Sequence, residues 1–368
     1  MERSPGLFYD SKGRVAYTVD PIGRETRFVY DDNDRVIQTI LPDGTSSRTE
    51  YDVLGRTSKT SAADTATTSF EYNLAGQTIK TIDPLGNASR NLYDPEGLLE
   101  SAVDPLGRSS TFEYDVLDRL TKSITALGFE SNQNFDADGN VILRVNARGY
   151  GVQLILDALD RPVEVINPRR HSVKTVYDNV GQITRIEDEN SHAWVFDYDL
   201  AGRKIKETDP EGRSVTFEYD PVGQLKKKVL QDRSSIEFTY DLMGRVTAMT
   251  FKLPSGVVES TDVFSYNLVG NRTTSENANV KVTSTYDIMD REVTRTILFK
   301  ATGLSRVLSF GYDLVGRRKR MADDTGREVL YGYDLNSRLT RLEVKEVVRE
   351  CTGSTSPPGG AHAHQRPR

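Results

Sequence analysis

In the stretch Ser214-Val215-Thr216-Phe217-Glu218-Tyr219, apolar and polar positions alternate, with Val215, Phe217 and Tyr219 on one face and Thr216 and Glu218 on the other. That period of two predicts a strand with one covered face. The same alternation recurs in TFEY at 111, WVFDY at 194 and IEFTY at 236, all rich in strand-forming residues. No amphipathic helix of ten residues or more is legible before about position 341.

The strands end in a word that repeats. Aligning YDLAGR at 198 with its variants gives unit starts at Tyr9, Tyr30, Tyr51, Tyr72, Tyr93, Tyr114, Phe135, Leu156, Tyr177, Tyr198, Tyr219 and Tyr240, each 21 residues after the last. Four more units start at Tyr266, Tyr286, Tyr312 and Tyr333, with spacings of 26, 20, 26 and 21. Eleven consecutive equal spacings are the mark of a repeat architecture. Half a period on comes a second turn: DPIG at Asp20, DPLG at Asp83 and Asp104, and DPEG at Asp209.

Both words have turn chemistry. Asp and Asn accept hydrogen bonds from backbone groups two residues on, Pro presets φ, and Gly takes the positive φ that other residues avoid. Where the fifth position of the tyrosine word is not Gly, Asp34, Asp118, Asp160 and Asp290 stand in, and Asp is among the better non-glycine residues there. Two turns per unit predict an all-β chain, a long antiparallel meander of roughly thirty strands of about six residues each. At ~4.8 Å per strand such a ribbon is on the order of 150 Å long and only ~20 Å tall, so it has to curl. One full loop of it would make a hoop roughly 45 to 50 Å across, wide enough for a folded domain of ~35 to 40 Å, with its first and last strands left as open edges.

Composition narrows the reading further. The chain of 368 residues carries 48 basic and 54 acidic residues, a formal charge of −6, so the basic footprint of a nucleic-acid binder is missing. Its mean hydropathy of −0.52 and 17 tyrosines against one tryptophan suit half-buried sheet surfaces. No segment approaches the run of about eighteen apolar residues that spans a membrane, and no secretory leader is visible at MERSPGLFYDSKGR. Cys351 is the only cysteine, which leaves no disulfide framework or thiolate metal cluster to expect.

The candidate residues are therefore those of the repeat itself: Tyr51, Asp52, Gly55 and Arg56; Tyr198, Asp199, Gly202 and Arg203; Tyr240, Asp241, Gly244 and Arg245; and Tyr312, Asp313, Gly316 and Arg317. Catalysis needs one constellation whose members sit in different environments, whereas this set is stamped along the whole chain. The expected role is structural: tyrosine packing in a ladder, aspartate fixing the turn, arginine bridging units. No catalytic, cofactor or metal site is expected. DADGN at 136 and DDND at 31 lack the twelve-residue spacing of a calcium loop, and His171 and His192 stand without metal-ligand spacing. Trp194 and Tyr198 share a strand face and are expected as a core pair, a sugar platform being the alternative if that face is exposed. The Asn87 and Asn271 sequons are short enough to arise by chance.

These words at this spacing resemble the YD repeats of the Rhs family, which includes bacterial Rhs and wall-associated polymorphic toxins, the shell-forming subunits of insecticidal toxin complexes, and teneurins. The resemblance covers residues 7–345, with 1–6 as a stub and 346–368 as a tail, CTGSTSPPGGAHAHQRPR from Cys351 onward, that is expected to be disordered and to reflect a truncated or shifted frame. It implies part of a hollow β-cocoon whose wall encloses a C-terminal toxin. No capping and autoproteolysis segment or toxin domain is legible; DPEGLLES at Asp94 and DPLGRSS at Asp104 sit at ordinary repeat positions. The implied partners are other parts of such a shell or a toxin domain, and the implied location is secreted or at the cell surface. The alternative is an adhesion or glycan-binding module of the teneurin-like or wall-associated type.

Overall fold

The structure is a computed structural model and describes residues 5–346. Thirty-two strands run from β1 (Gly6–Tyr9) to β32 (Leu339–Lys345) in one sheet, and no helix occurs among the described residues. Each strand pairs antiparallel with the next along the chain, so the sheet is an unbroken meander. Most strands have five or six residues, the length that a 21-residue unit with two turns leaves for them.

The two 26-residue spacings have a simple cause. The extra residues lengthen the strands that flank a second turn, giving β24 (Val246–Lys252) with β25 (Val258–Tyr266), and β28 (Glu292–Phe299) with β29 (Leu304–Tyr312). The tyrosine turns stay in register while the wall becomes locally taller.

No second layer covers this sheet. Among the described apolar residues only Val19, Phe310 and Ala322 are buried. Val215, Phe217 and Tyr219, expected on a covered face, are half-buried, and Trp194, expected in a core pair with Tyr198, is 39% exposed. The alternation is real, but it separates two faces of one layer. One face carries the recurring phenylalanines Phe28, Phe70, Phe112, Phe196, Phe217 and Phe238 two residues before each aromatic turn residue or its tyrosine. The other carries cross-strand ion pairs such as Glu71 with Lys80 at 2.6 Å and Glu50 with Lys59 at 3.2 Å.

Curvature is built into one edge. At every tyrosine turn the pairing register slips beside the tyrosine, as between Asp197 and Tyr198 opposite Lys206 and Lys204. The alternate hairpins pair without such a slip where five-residue strands meet six-residue ones, as from Lys206 opposite Thr216 to Thr208 opposite Ser214. A bulge bends its strand and adds twist, so bulges repeated at every tyrosine turn, against a single slip at the second turns, between Phe251 and Lys252, curl the ribbon.

The curl brings the ribbon back onto itself. Arg317 Nη2 donates to Asp64 Oδ2 at 3.0 Å, and Asn336 Nδ2 donates to Asp83 Oδ2 at 2.6 Å. Arg24 donates to Ile288 O at 2.6 Å and to Asp290 Oδ2 at 2.8 Å. In each case a second turn of the first winding meets a tyrosine turn of the next. Asp64 follows β6 (Thr57–Ser61) and Arg317 follows β29, so this part of the winding takes 23 strands. At ~4.8 Å per strand that is a circumference of roughly 110 Å and a width of roughly 35 Å between opposite backbones, before strand tilt is counted. The single 45 to 50 Å hoop expected from sequence is therefore replaced by a narrower spiral of more than one winding, because the wall overlaps itself instead of meeting end to end.

The seam contacts should carry measurable stability. Replacing Asp64 and Asn336 together by Ala removes a charge-assisted hydrogen bond and a second one across the seam, an expected loss of about 1 to 3 kcal/mol. Urea melts should show an earlier transition with the far-ultraviolet strand signal unchanged; an unaltered midpoint would mean the seam contributes nothing.

Candidate functional site: the repeated tyrosine turn

Each tyrosine turn is built by its second residue. In the turn at 198, the Asp199 backbone N–H donates to Arg203 O, and Gly202 N–H donates back to Asp199 O, both at 2.9 Å. The Asp199 carboxylate accepts from the backbone N–H groups of Ala201 and Arg203, each at 2.9 Å. Its other oxygen accepts from Arg203 Nε at 2.8 Å. The same closure joins Asp52 to Arg56, Asp241 to Arg245, and Asp313 to Arg317 at 2.6 to 2.7 Å. This is a four-residue turn whose last residue must be left-handed: Gly202 has φ +79°, and Asp34, Asp118, Asp160 and Asp290, which stand in for Gly, have φ between +60° and +62°.

The tyrosine and arginine tie each turn to its neighbours. Tyr198 Oη donates to Ile183 O at 2.8 Å, which is the first residue of the even-numbered strand in the preceding unit. Tyr51, Tyr240 and Tyr312 do the same to Val36, Val246's counterpart Leu225, and Glu292, at 2.7 to 2.9 Å. All thirteen in-phase tyrosines from Tyr30 onward make this bond. In the other direction, the Arg203 guanidinium lies 4.7 Å from the centre of the Tyr219 ring. Arg56 over Tyr72, Arg245 over Tyr266 and Arg317 over Tyr333 repeat the stack at 4.7 to 5.1 Å. Arg56 and Arg245 also donate to the next turn's Asn73 O and Asn267 O, each at 2.9 Å. Where arginine is replaced by Gln182, the amide reaches Gly202 O at 2.9 Å.

Sequence reasoning placed these residues at the turns but missed two connections, the tyrosine hydroxyl to a carbonyl one unit back and the arginine on the next ring. The 15-residue interval between donor and acceptor in the regular units was a signal available in the period, since each tyrosine ends the strand that pairs with the strand it bonds.

The aspartates of the turns at 51, 198, 240 and 312, each closed by an arginine, titrate low. The Arg203 side chain and then its backbone N–H hold Asp199 below the usual carboxylate value, and the Arg245 backbone N–H with its guanidinium does so for Asp241. At Asp52 and Asp313 partial burial opposes the shift, but the hydrogen bonds from Arg56 and Arg317 outweigh it. Asp83 at the seam is lowered to about 2 by the Asn87 side chain and, across the seam, by Asn336.

The remaining polar candidates are absorbed into turns. Asp136 accepts from Asn140 N at 2.8 Å and Asp31 from Asn33 N at 2.9 Å, each closing an ordinary turn. His171 pairs with Glu189, and His192 lies 3.2 Å from Asp188, so each histidine has an acidic neighbour. Among the described residues no cluster of three or more His, Cys, Asp or Glu is arranged to hold a metal ion. Asn87 and Asn271 both use their amides on neighbouring aspartates, Asp83 and Asp290.

An open antiparallel wall of stacked tyrosine and aspartate turns, curled into a spiral, defines a YD-shell type of fold. A family model for the teneurin YD-shell matches residues 108–252, and one for the RHS repeat matches residues 9–46. These segments are therefore similar to Rhs and teneurin YD-shell repeats, the resemblance that the tyrosine words carried. Among solved structures it is similar to a TcdB2-TccC3-Cdc42 crystal structure, with a TM-score of 0.78 at 16% identity, covering 90% of this chain and 21% of that one. It is also similar to the Tc holotoxin pore of Photorhabdus luminescens, with a TM-score of 0.69 at 14% identity, covering 95% of this chain and 23% of that one. The chain thus spans less than a quarter of the length of either. No curated protein matches it.

Two outcomes follow for the turn. Tyr198→Phe, which leaves the Ile183 carbonyl without its donor, should cost about 1 kcal/mol, and Gly202→Ala, at positive φ and within 2.9 Å of the Gln182 amide nitrogen, about 1 to 2 kcal/mol. Both are read from urea midpoints, with Gly6→Ala, in a strand and away from any turn, as the comparison. Stability should also depend on acid with a definite sign. Because folding lowers these carboxyl values, their stabilisation is complete above the unfolded value near 4 and is lost as the pH falls through the lowered folded values. Thermal midpoints should be flat in this respect above pH 5 and fall between about pH 4 and pH 2.

Proposed function

We propose that this chain is a non-enzymatic wall segment of an Rhs/YD-repeat toxin shell, whose work is containment of a toxic payload. The observation that supports this most strongly is a single-layer sheet of thirty-two strands that curls onto itself without filling its interior as a core. The likeness to structures containing TcdB2 and TccC3 supports the same reading. In this reading residues 7–345 form the wall, the repeated Tyr, Asp, Gly and Arg are structural, and the payload and capping segments belong to other parts of a shell. The expected tail at 346–368 lies outside the described residues apart from its first position. A secreted or cell-surface location accompanies the proposal.

The width limits the cargo. Side chains on the inner face take roughly 5 Å from each wall, leaving a passage of roughly 25 Å, against ~35 Å for a folded domain of about 100 residues. Such a passage suits an extended or small polypeptide better than the folded domain that a wider hoop would hold.

The alternative, adhesion to glycans, gains from the exposure of Trp194. One pair of experiments separates them. Appending a short, unstructured, protease-sensitive peptide to the chain should give a fragment that resists a large protease while the wall is intact and is cut once the seam is opened by the Asp64→Ala and Asn336→Ala changes. Equal cleavage in both states would remove containment, and glycan binding lost with Trp194→Ala would install the alternative.

A further inference from the structure

The apices of the tyrosine turns are apolar. The two residues between the second and fifth positions of the word include Val53 and Leu54, Leu74, Val116 and Leu117, Val180, Leu200, Val222, and Leu242 with Met243. Turn tips on a soluble wall are ordinarily polar, and a repeated apolar tip on one edge marks a contact surface.

The spiral supplies its own comparison, because the same turn occurs in two settings. In the first winding the tips are bare: Leu74, Leu200 and Leu242 are fully exposed. In the second winding, where the tyrosine edge sits on the second turns of the first, Ile288 falls to 48% and Leu335 to 44% exposure. The neighbouring positions Met289 and Val315 become half-buried, whereas their first-winding counterparts Met243 and Leu54 are exposed. The cover in the second winding consists of Leu41, Ala62, Ala63 and Pro84 from second turns. Polar bonds flank it, with Arg317 on Asp64 and Asn336 on Asp83. One edge chemistry therefore has one observed partner: an edge of second turns that offers small apolar residues and an aspartate.

We propose that the uncovered tyrosine edge of the first winding is a docking rim, and that its occupant is the second-turn edge of a second copy of this chain stacked along the spiral axis. The proposal rests on the wall reading and continues the seam already present within the molecule. The second-turn edge from Asp104 onward carries matching features, with Leu106 and Leu127 exposed at tips and carboxylates at Asp188 and Asp232. The contact is head to tail, so it does not close on itself, and association continues beyond a dimer.

Sedimentation velocity of the purified chain over a hundredfold range of concentration tests this, beside a variant combining Val116→Ser, Leu200→Ser and Leu242→Ser. These side chains touch solvent at turn tips, so the variant should keep the wild-type melting temperature. The wild type should sediment faster as concentration rises, passing through dimers to longer species, and the variant should require about tenfold or more protein to do so. Val315→Ser, at a half-buried tip against the second turns, should lower the melting temperature and leave association in place. A wild type that stays monomeric throughout, or a variant that associates as the wild type does, overturns the docking rim. A monomer that keeps its ring-shaped scattering profile leaves the wall reading standing, whereas one that has lost it overturns both.

Discussion

The structure depends on a hydrogen bond that a single-layer sheet cannot do without, from the tyrosine hydroxyl to the carbonyl that opens the preceding strand, so that it ties one tyrosine turn to the tyrosine turn before it. A sheet packed on nothing has no core to set the angle between its hairpins. Backbone ladders join neighbouring strands but leave twist and bend soft. The bond from Tyr198 to Ile183, repeated along the chain, fixes each unit against the one before it, and the Arg203 stack on Tyr219 fixes it against the one after. A tyrosine contributes large contact area with few rotamers to freeze, which suits it to this work at a half-exposed site. Arginine cannot be exchanged for lysine there, since one planar group both closes its own turn on Asp199 and lies flat on the next ring.

Stability in such a wall is a sum of nearest-neighbour terms, and the seam adds to that sum. Contacts between units hold the curvature; contacts between windings, as at Asp64 and Arg317, convert a curved ribbon into a closed spiral. The seam joins residues some 250 positions apart, whereas the tyrosine and arginine contacts run between adjacent strands and neighbouring units. It is also polar at its flanks and loosely filled, with a groove of about 620 Å³ beside Asp64, Asp83 and Asn336.

Much of the fold was legible in the sequence, because a repeat writes its local rules many times over. The strand number, the antiparallel order and the two turns per unit followed from spacing, and the positive φ at Asp34, Asp118, Asp160 and Asp290 followed from the chemistry of the residue that replaces glycine. What could not be read was anything set by curvature. Alternation at Val215, Phe217 and Tyr219 suggested a covered face, since a period of two distinguishes faces but does not say what lies over them. The number of strands in a winding depends on bulge geometry summed over many hairpins, so the partners of Arg24 and Asn336 were invisible. The arginine stack was hidden for another reason: it joins positions in adjacent units whose side chains meet only once the sheet is built.

The central claim is that thirty-two strands form a closed spiral wall and not an open ribbon. Small-angle X-ray scattering of the monomeric chain at low concentration tests it most directly. A spiral roughly 35 to 45 Å wide and little more than one winding tall has a longest dimension well below about 100 Å and a distance distribution depleted at its centre. A maximum dimension approaching ~150 Å, the length of the uncurled sheet, would contradict the account.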